Sequence, residues 1–198
     1  MTHETREDSR WTCRYVTATT LDGFIATEDD SLDWLFEQEH DPEGPGGVDT
    51  MTDGVTALVM GATTYTWVVD HLAASGEEWP YEAPTFVFSH RDLEPVTDSV
   101  HLVTGSPEEL WPRIAEAAGA GVVWIVGGGR LAADFASAGL LDEVQVTIAP
   151  VTLGAGRPLL DGIFDLELRE LERNGAFVVA RYGVVGPRDH RVVTQRFA

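Results

Sequence analysis

One short segment, residues 122–132 with the sequence VVWIVGGGRLA, narrows the choice of folds sharply. Residues 122–126 lack polar alternation, which predicts a central strand buried on both faces, as in a parallel sheet. The three glycines that follow allow a tight turn and a close approach by a ligand, and a helix is predicted over 130–138. Unpaired amides and the dipole at such a helix start favour an anion. The segment therefore predicts either a phosphate site or a glycine-rich turn that only packs the helix on the sheet.

The rest of the chain alternates short apolar runs, rich in β-branched residues, with helical patterns. Ser106 and Glu109 form a capping box around Pro107 at one helix start, and Gly139 marks the end of another helix. This alternation predicts an α/β fold: a single-domain, mixed, mainly parallel β-sheet flanked by helices, with a C-terminal antiparallel hairpin. Strands are predicted over 13–19, 57–60, 85–88, 100–103, 122–126, 143–148, 177–185 and 191–197, and helices over 32–39, 63–72, 107–118 and 130–138.

Length and charge limit the domain count and the partners. The 198 residues fit one domain, 11–198, preceded by a polar tail, 1–10, that we expect to be flexible. With 13 Lys and Arg against 33 Asp and Glu, the net charge of −20 disfavours nucleic acid and anionic membranes as partners. We therefore expect a small-molecule substrate. The polar start of the chain and the lack of a long apolar run favour a cytoplasmic protein.

Composition also excludes several chemistries. The single cysteine, Cys13, rules out an intrachain disulfide and a cysteine-rich zinc site, and the spacing of the six histidines matches no metal motif. We therefore predict no metal site. The chain contains no lysine, so the sequence excludes a P-loop nucleotide hydrolase and Schiff-base chemistry.

Two further predicted strands end in residues suited to phosphate. Each end, taken alone, is more simply interpreted as a helix cap or a polar loop. Ligands of open α/β sheets bind at the carboxyl ends of strands, so three such ends together favour a dinucleotide over a mononucleotide. The residues concerned are Gly61, Ala62, Thr63 and Thr64 after strand 57–60, and Ser89, His90 and Arg91 after strand 85–88.

Several short motifs occur in a recognisable order. They are TLDGFIA (20–26), SLDWL (31–35), LVMGATTY (58–65), IVGGGRL (125–131), and LDE (141–143) leading to PVTLGAGR (150–157). This ordered set, spanning about residues 12–185, resembles the dihydrofolate reductase fold family. It is most similar to the branch that contains the reductase domain of the bifunctional riboflavin-biosynthesis deaminase–reductase and its stand-alone relatives. The resemblance implies an NADPH-dependent reductase that acts on a small heterocycle of the pyrimidine or pterin type.

The resemblance also implies roles for individual residues. Ala18, Ile25 and Trp34 would face the nicotinamide and the substrate, and Asp22 is the nearest carboxylate to serve as a proton donor. The residues themselves leave alternatives, because Asp22 and Gly23 also form a common hairpin turn and Trp34 equally suits core packing. The implied cofactor residues are Gly61, Ala62, Thr63 and Thr64 by the adenosine phosphates, Ser89, His90 and Arg91 at the adenine-ribose end, and Gly127, Gly128, Gly129, Arg130 and Leu131 at the pyrophosphate.

The sequence departs from the family pattern in three ways. Ala62 stands where members often carry a basic residue for the 2′-phosphate of NADPH, so NADH stays open as the cofactor unless Arg91 supplies the charge. The first helix offers Asp33, Glu37 and Glu39, and none aligns with the acid of folate reductases. A single cysteine excludes the zinc-dependent deaminase half. These departures keep a second hypothesis open, a non-catalytic nucleotide-binding protein with the same fold. The later strands also leave room for a homodimer.

Overall fold

The structure, a computed structural model, describes residues 12–188, so the predictions for residues 1–10 and 191–197 lie outside it. Within this range, strands run over Thr12–Thr20 (β1), Phe24–Ala26 (β2), Val55–Gly61 (β3), Thr85–Phe88 (β4), Val100–Val103 (β5), Val122–Gly127 (β6), Glu143–Ala149 (β7), Arg157–Pro158 (β8), Phe164–Asn174 (β9) and Phe177–Pro187 (β10). Helices run over Asp33–Phe36 (α1), Val48–Met51 (α2), Ala62–Ser75 (α3), Pro107–Ala118 (α4) and Gly129–Ser137 (α5).

An eight-stranded sheet has the order β5-β4-β3-β6-β1-β7-β10-β9, and its first six strands, from the β5 edge to β7, are parallel. β10 pairs antiparallel with β7, and β9 pairs antiparallel with β10, while β2 and β8 form a separate small sheet. The predicted fold class is therefore confirmed, including the C-terminal hairpin. Because α3, α4 and α5 follow the parallel strands β3, β5 and β6, all three helices begin at the same edge of the sheet.

Helices cover both faces of the sheet. α4 and α5 pack on one face over the main buried cluster, which includes Tyr15, Ile125 and Phe135. Side chains alternate between the two faces along a strand. The strand side chains that point away from α4 and α5 contact α1 and α3 on the other face. There, Tyr65 of α3 packs over β3 and β4, and Trp34 of α1 packs over β1, β7 and β10. α1 and α3 thus stand on one face, on either side of β6. None of the helices within residues 12–188 is long and apolar enough to cross a membrane.

The first helix is much shorter than predicted, Asp33–Phe36 instead of 32–39. Its N-cap residue, Leu32, makes no side-chain capping bond. At the other end the Gln38 side-chain amide donates to the Trp34 carbonyl at 2.9 Å, and the Gln38 backbone N–H donates to Leu35 instead. The Gln38 side chain thus occupies the Trp34 carbonyl, which the Gln38 backbone amide would need if the helix continued. The helix therefore ends after one turn.

The long strand β9 was not predicted, nor were the short elements β2, α2 and β8. Its sequence, FDLELRELERN, alternates apolar and charged residues, but Leu, Glu and Arg are good helix formers. Pairing along the whole length of β10, which local propensity does not reveal, makes this segment a strand.

Candidate functional site

Three strand ends that the sequence singled out lie side by side. β3 runs between β4 and β6, with Gly61 opposite Phe88 and Met60 opposite Gly127. The residues that follow these strands therefore meet at one edge of the sheet. A Cβ atom on Gly127 would lie 2.8 Å from the Thr64 hydroxyl oxygen, which shows how closely α3 approaches the end of β6.

Two of the three long helices that begin at this edge lack a side-chain cap. α4 has a complete capping box, in which Ser106 accepts from the amide of Glu109 and the Glu109 carboxylate accepts from the amide of Ser106. The N-cap residues of α3 and α5 are Gly61 and Gly128, and neither helix start is capped by a side chain. The first backbone amides of α3 and α5 therefore lack the side-chain acceptor that Ser106 provides in α4. The helix dipole favours an anion at both positions.

Two glycines at these helix starts face open space. A Cβ atom on Gly61 would meet nothing within 4 Å, and one on Gly128 would meet only the Leu131 side chain at 3.6 Å. Gly128 has φ of +98°, a conformation that other residues rarely adopt. Gly129 is different, because a Cβ there would lie 2.1 Å from the Pro158 carbonyl oxygen. Its side-chain position faces the end of β8 and the residue after it, so packing within the protein accounts for this glycine.

Arg91, one of the predicted site residues, reaches the start of α3. Its guanidinium lies 3.5 Å from the Thr63 hydroxyl oxygen, across the gap between the ends of β4 and β3. A turn in which the Ser89 hydroxyl accepts from the Arg91 amide at 2.9 Å fixes the backbone there. His90 and Arg130 are exposed at the same edge, and Leu131 packs against the main core.

The predicted substrate residues Ala18 and Trp34 belong to one cluster, together with Ala149 and Phe177. Trp34 is only 6% exposed, so the core-packing alternative describes its surroundings well. Its indole Nε1 nevertheless has no hydrogen-bond partner among the described residues. The same holds for the hydroxyl of Thr147, which pairs with Ala18 across β1 and β7. Two buried polar groups without partners thus flank Ala18.

Asp22 ties two loops together. Its carboxylate accepts from the amides of Gly154 at 2.7 Å and Leu153 at 3.1 Å, and from the Thr20 hydroxyl at 2.6 Å. These bonds, with the Thr20 hydroxyl contributing most, lower the pKa of the Asp22 carboxyl below its ordinary 3.8. An ionised carboxylate that accepts from three donors suits loop positioning better than proton donation. Ile25 is half-buried in β2, close to this turn.

Sequence reasoning missed an aromatic cluster that connects α1 with α3. Phe36 stacks on Trp67 and His71, with ring centroids 6.4 and 6.0 Å away and planes within 11° and 5°. Trp67 and His71 themselves stack at 4.9 Å. The spacing of Trp67 and His71, four residues apart in a helix, is a signal that places both rings on one side. Nothing local to the sequence indicates that Phe36 meets them.

A cavity of about 400 Å³ lies elsewhere, on the α1 face of the sheet under residues 43–53. It contains none of the predicted site residues, so cavity size alone does not locate the strand-end site. Its lining residues are Arg14, Glu43, Gly44, Pro45, Gly46, Thr50, Asp53, Gln145, Glu170, Glu172, Val179 and Arg181.

Several solved structures of other proteins share this fold. A putative riboflavin biosynthesis protein from Shewanella sp. PV-4 is 28% identical, with a TM-score of 0.72 over 87% of this chain and 98% of its own. The Thermotoga maritima deaminase/5-amino-6-(5-phosphoribosylamino)uracil reductase has a TM-score of 0.61 at 17% identity, over 87% of this chain and 56% of its own. Enterococcus faecalis dihydrofolate reductase, complexed with NADP(H) and RAB-propyl, has a TM-score of 0.56 at 14% identity, over 88% of this chain and 96% of its own. The last two likenesses show the fold alone.

Sequence comparison identifies the family. The uncharacterized Bacillus subtilis protein YwjB is 31% identical over 177 residues, which cover 87% of this chain and 97% of YwjB. A second uncharacterized B. subtilis protein, YyaP, is 26% identical over 72% of this chain and 76% of its own. The pattern of the RibD C-terminal domain family matches residues 12–179. The chain belongs to the RibD C-terminal domain family.

Proposed function

We propose that this protein is an NAD(P)H-dependent reductase that acts on a small heterocycle of the pyrimidine or pterin type, as in riboflavin or folate metabolism. The observation that carries the proposal is that α3 and α5 both begin at a glycine. Both lack a side-chain cap, both face open space, and they lie at the carboxyl ends of neighbouring strands. This arrangement fits a dinucleotide whose phosphates accept hydrogen bonds from backbone amides. Family membership and the NADP(H)-bound structural neighbour support the same cofactor class.

The residues divide into a cofactor side and a substrate side. Gly61 to Thr64 and Gly127 to Leu131 would hold the phosphates, while Ser89 to Arg91 would flank the adenosine end. The bound cofactor would supply hydride, and the protein would supply orientation and exclusion of water. Ala18 and Trp34 would lie beside the reacting ring, and the unpartnered indole N–H of Trp34 could donate to one of its heteroatoms. The proton would come from water, since Asp22 is engaged as an acceptor.

Gly61→Val tests the cofactor site with little risk to the fold. Gly61 has φ of −81°, which valine tolerates, and open space around its Cβ position. We expect folding to be retained and NADPH affinity, measured by calorimetry, to fall at least about tenfold because the side chain blocks the approach of phosphate. Gly76→Ala is the control: Gly76 ends α3 with φ of +76° and nothing near its Cβ position, so this change should reduce stability but not affinity. Unchanged affinity in folded Gly61→Val would refute the assignment.

One observation favours the second candidate, a non-catalytic nucleotide-binding protein. The carboxylate predicted as proton donor, Asp22, is held as an acceptor of three donors. NADPH oxidation, followed by absorbance across pterins, pyrimidines and flavins, separates the two functions. NADPH binding without turnover on any of these rings would favour the binding protein.

A further inference from the structure

The aromatic cluster of Phe36, Trp67 and His71 is an exposed feature that the proposed cofactor site does not explain. Phe36 is 60% exposed, although large apolar side chains of this kind are usually buried. It stands on α1, a single turn without a side-chain cap, and its ring touches α3 from across β6. A short, uncapped turn has little stability of its own, so Phe36 can move at small cost.

The position of the cluster connects it with the substrate side. Trp34, two residues before Phe36, packs with Ala18 in the cluster that contains the predicted substrate residues. Trp67 lies in the second turn of α3, whose first residues form the predicted phosphate site. The stacked rings therefore lie between the residues expected to hold the substrate and those expected to hold the cofactor.

Acidic residues predominate in the chain segment that forms α1, α2 and α3. No lysine or arginine occurs between Arg14 and Arg91, a stretch that includes α1, α2 and α3. Asp33, Glu37 and Asp70 lie on or next to α1 and α3 and are exposed. Arg91 and Arg130, at the predicted cofactor edge, are exposed as well, so the exposed arginines near the site lie on the cofactor side.

Two arginines on the strands that carry or adjoin the predicted substrate residues are paired with carboxylates. Arg157 bonds Asp30 at 2.6 Å and also donates to the Glu28 carbonyl oxygen at 2.9 Å. Arg14 bonds Glu143 at 2.9 Å near the opposite end of β1. A phosphate group on the substrate needs an available guanidinium, ammonium or group of amides, and a carboxylate-rich surface repels it.

We propose that the substrate is a planar, non-phosphorylated ring, neutral or cationic, which stacks on Trp67 and over which Phe36 closes. This inference rests on the proposed reductase function for its place beside the cofactor. Aromatic stacking on a planar base is strong and tolerant of ring identity. Because α1 and α3 carry carboxylates and no lysine or arginine, the site discriminates against phosphate esters.

Matched ligand pairs test the proposal on the full-length protein with and without saturating NADPH. The probes are riboflavin against riboflavin 5′-phosphate and uridine against uridine 5′-phosphate, with dissociation constants measured by calorimetry. We expect at least one parent ring to bind, and its phosphate ester to bind at least about tenfold more weakly. An ester that binds as tightly as its parent, or a protein that binds neither parent, would overturn the proposal.

Single-residue variants test whether the ring binds at Phe36 and Trp67. Phe36→Ala and Trp67→Ala should each weaken the parent ring about tenfold, and Trp67→Phe should restore most of the affinity. Val185→Ala, which alters a similarly exposed apolar residue on the far part of the sheet, should leave the affinity for the ring unchanged. Asp70→Arg should improve the phosphate ester but not its parent. Equal affinity in wild type and Trp67→Ala would contradict the assignment.

Separate measurements distinguish the two ways of failing. If NADPH does not bind, the reductase proposal fails, and ring binding to the free protein still decides the present inference. If NADPH binds and the ring preference is absent, only the present inference fails.

Discussion

At the scale of single residues, Asp22 shows how one side chain can hold a site without taking part in its chemistry. The Asp-Gly pair turns the chain after β1, and the carboxylate then reaches Leu153 and Gly154, more than 130 positions later. The loop before β2 and the loop before β8 are thus fixed relative to each other beside the predicted substrate residues.

The pKa of Asp22 provides a direct check of this role. Because its folded pKa lies below the ordinary 3.8, its bonds stabilise the fold above that value, and their contribution is lost as the pH falls through the folded pKa. We expect a carboxyl NMR titration to give a pKa below 3.8. Asp22→Asn should lower the Tm at neutral pH, by an amount that shrinks in acid. A pKa at or above 3.8 would contradict the loop-holding role.

Arg91 would decide the preference for NADPH over NADH if it takes the place of the basic residue that other family members often carry at the position of Ala62. Its guanidinium lies beside Thr63 and carries no carboxylate partner within the described residues. We expect Arg91→Ala to weaken NADPH about tenfold, a modest figure because the side chain is exposed, and to leave NADH nearly unchanged. Titration calorimetry with both cofactors measures the difference. Equal losses for the two would exclude this role.

At the scale of elements, Gly129 and Gly61 begin helices at the same edge for different reasons. A methyl group on Gly129 would lie 2.1 Å from the Pro158 carbonyl oxygen, whereas one on Gly61 would touch nothing. We expect Gly129→Ala to reduce the free energy of unfolding by about 1–3 kcal/mol, since α5 must move away from the chain after β8. The same change at Gly61 should be neutral or slightly stabilising. Urea denaturation of both variants tests this, and equal stabilities would show that the contact relaxes freely.

The elements also show what the sequence could predict. α4 occupies the predicted residues, because a capping box and a proline are local signals. β4 and β5 also have the predicted bounds, because turn residues on both sides of these short apolar runs mark where each strand begins and ends. The length of α1 depends on the side chain of Gln38, and β9 depends on pairing with β10. Such long-range or competing bonds leave no local trace.

The candidate site divides in the same way. The sequence predicts that the residues after β3, β4 and β6 lie close together, because the carboxyl ends of parallel strands meet at one edge of a sheet. The separate reason for Gly129, the stacking of Phe36 on Trp67, and the unpartnered Thr147 hydroxyl all involve residues distant in the chain. They became visible only with the tertiary structure.

At the scale of the whole molecule, the β9–β10 hairpin leaves an apolar surface uncovered. Leu166, Leu168, Leu171 and Val178 are between 40% and 62% exposed. The leucines pair with residues of β10 whose side chains face α4 and α5, so they lie on that face of the sheet, beyond its helices. A group of exposed apolar side chains of this kind is typical of an interaction site.

We expect this leucine surface to pair with its own copy in a homodimer, because one two-fold contact covers the same residues on both chains. The net charge of −20 opposes such pairing, so dimerisation should strengthen as salt screens the repulsion between chains. Sedimentation equilibrium over a range of salt concentrations measures the association. Leu168→Glu should return the protein to monomer by placing a charge in the contact, whereas Leu21→Glu, at a residue 70% exposed in the turn after β1, should leave the dimer intact. A wild-type protein that stays monomeric at every salt concentration would show that the hairpin surface serves another purpose, and a Leu168→Glu variant that still dimerises would place the interface elsewhere.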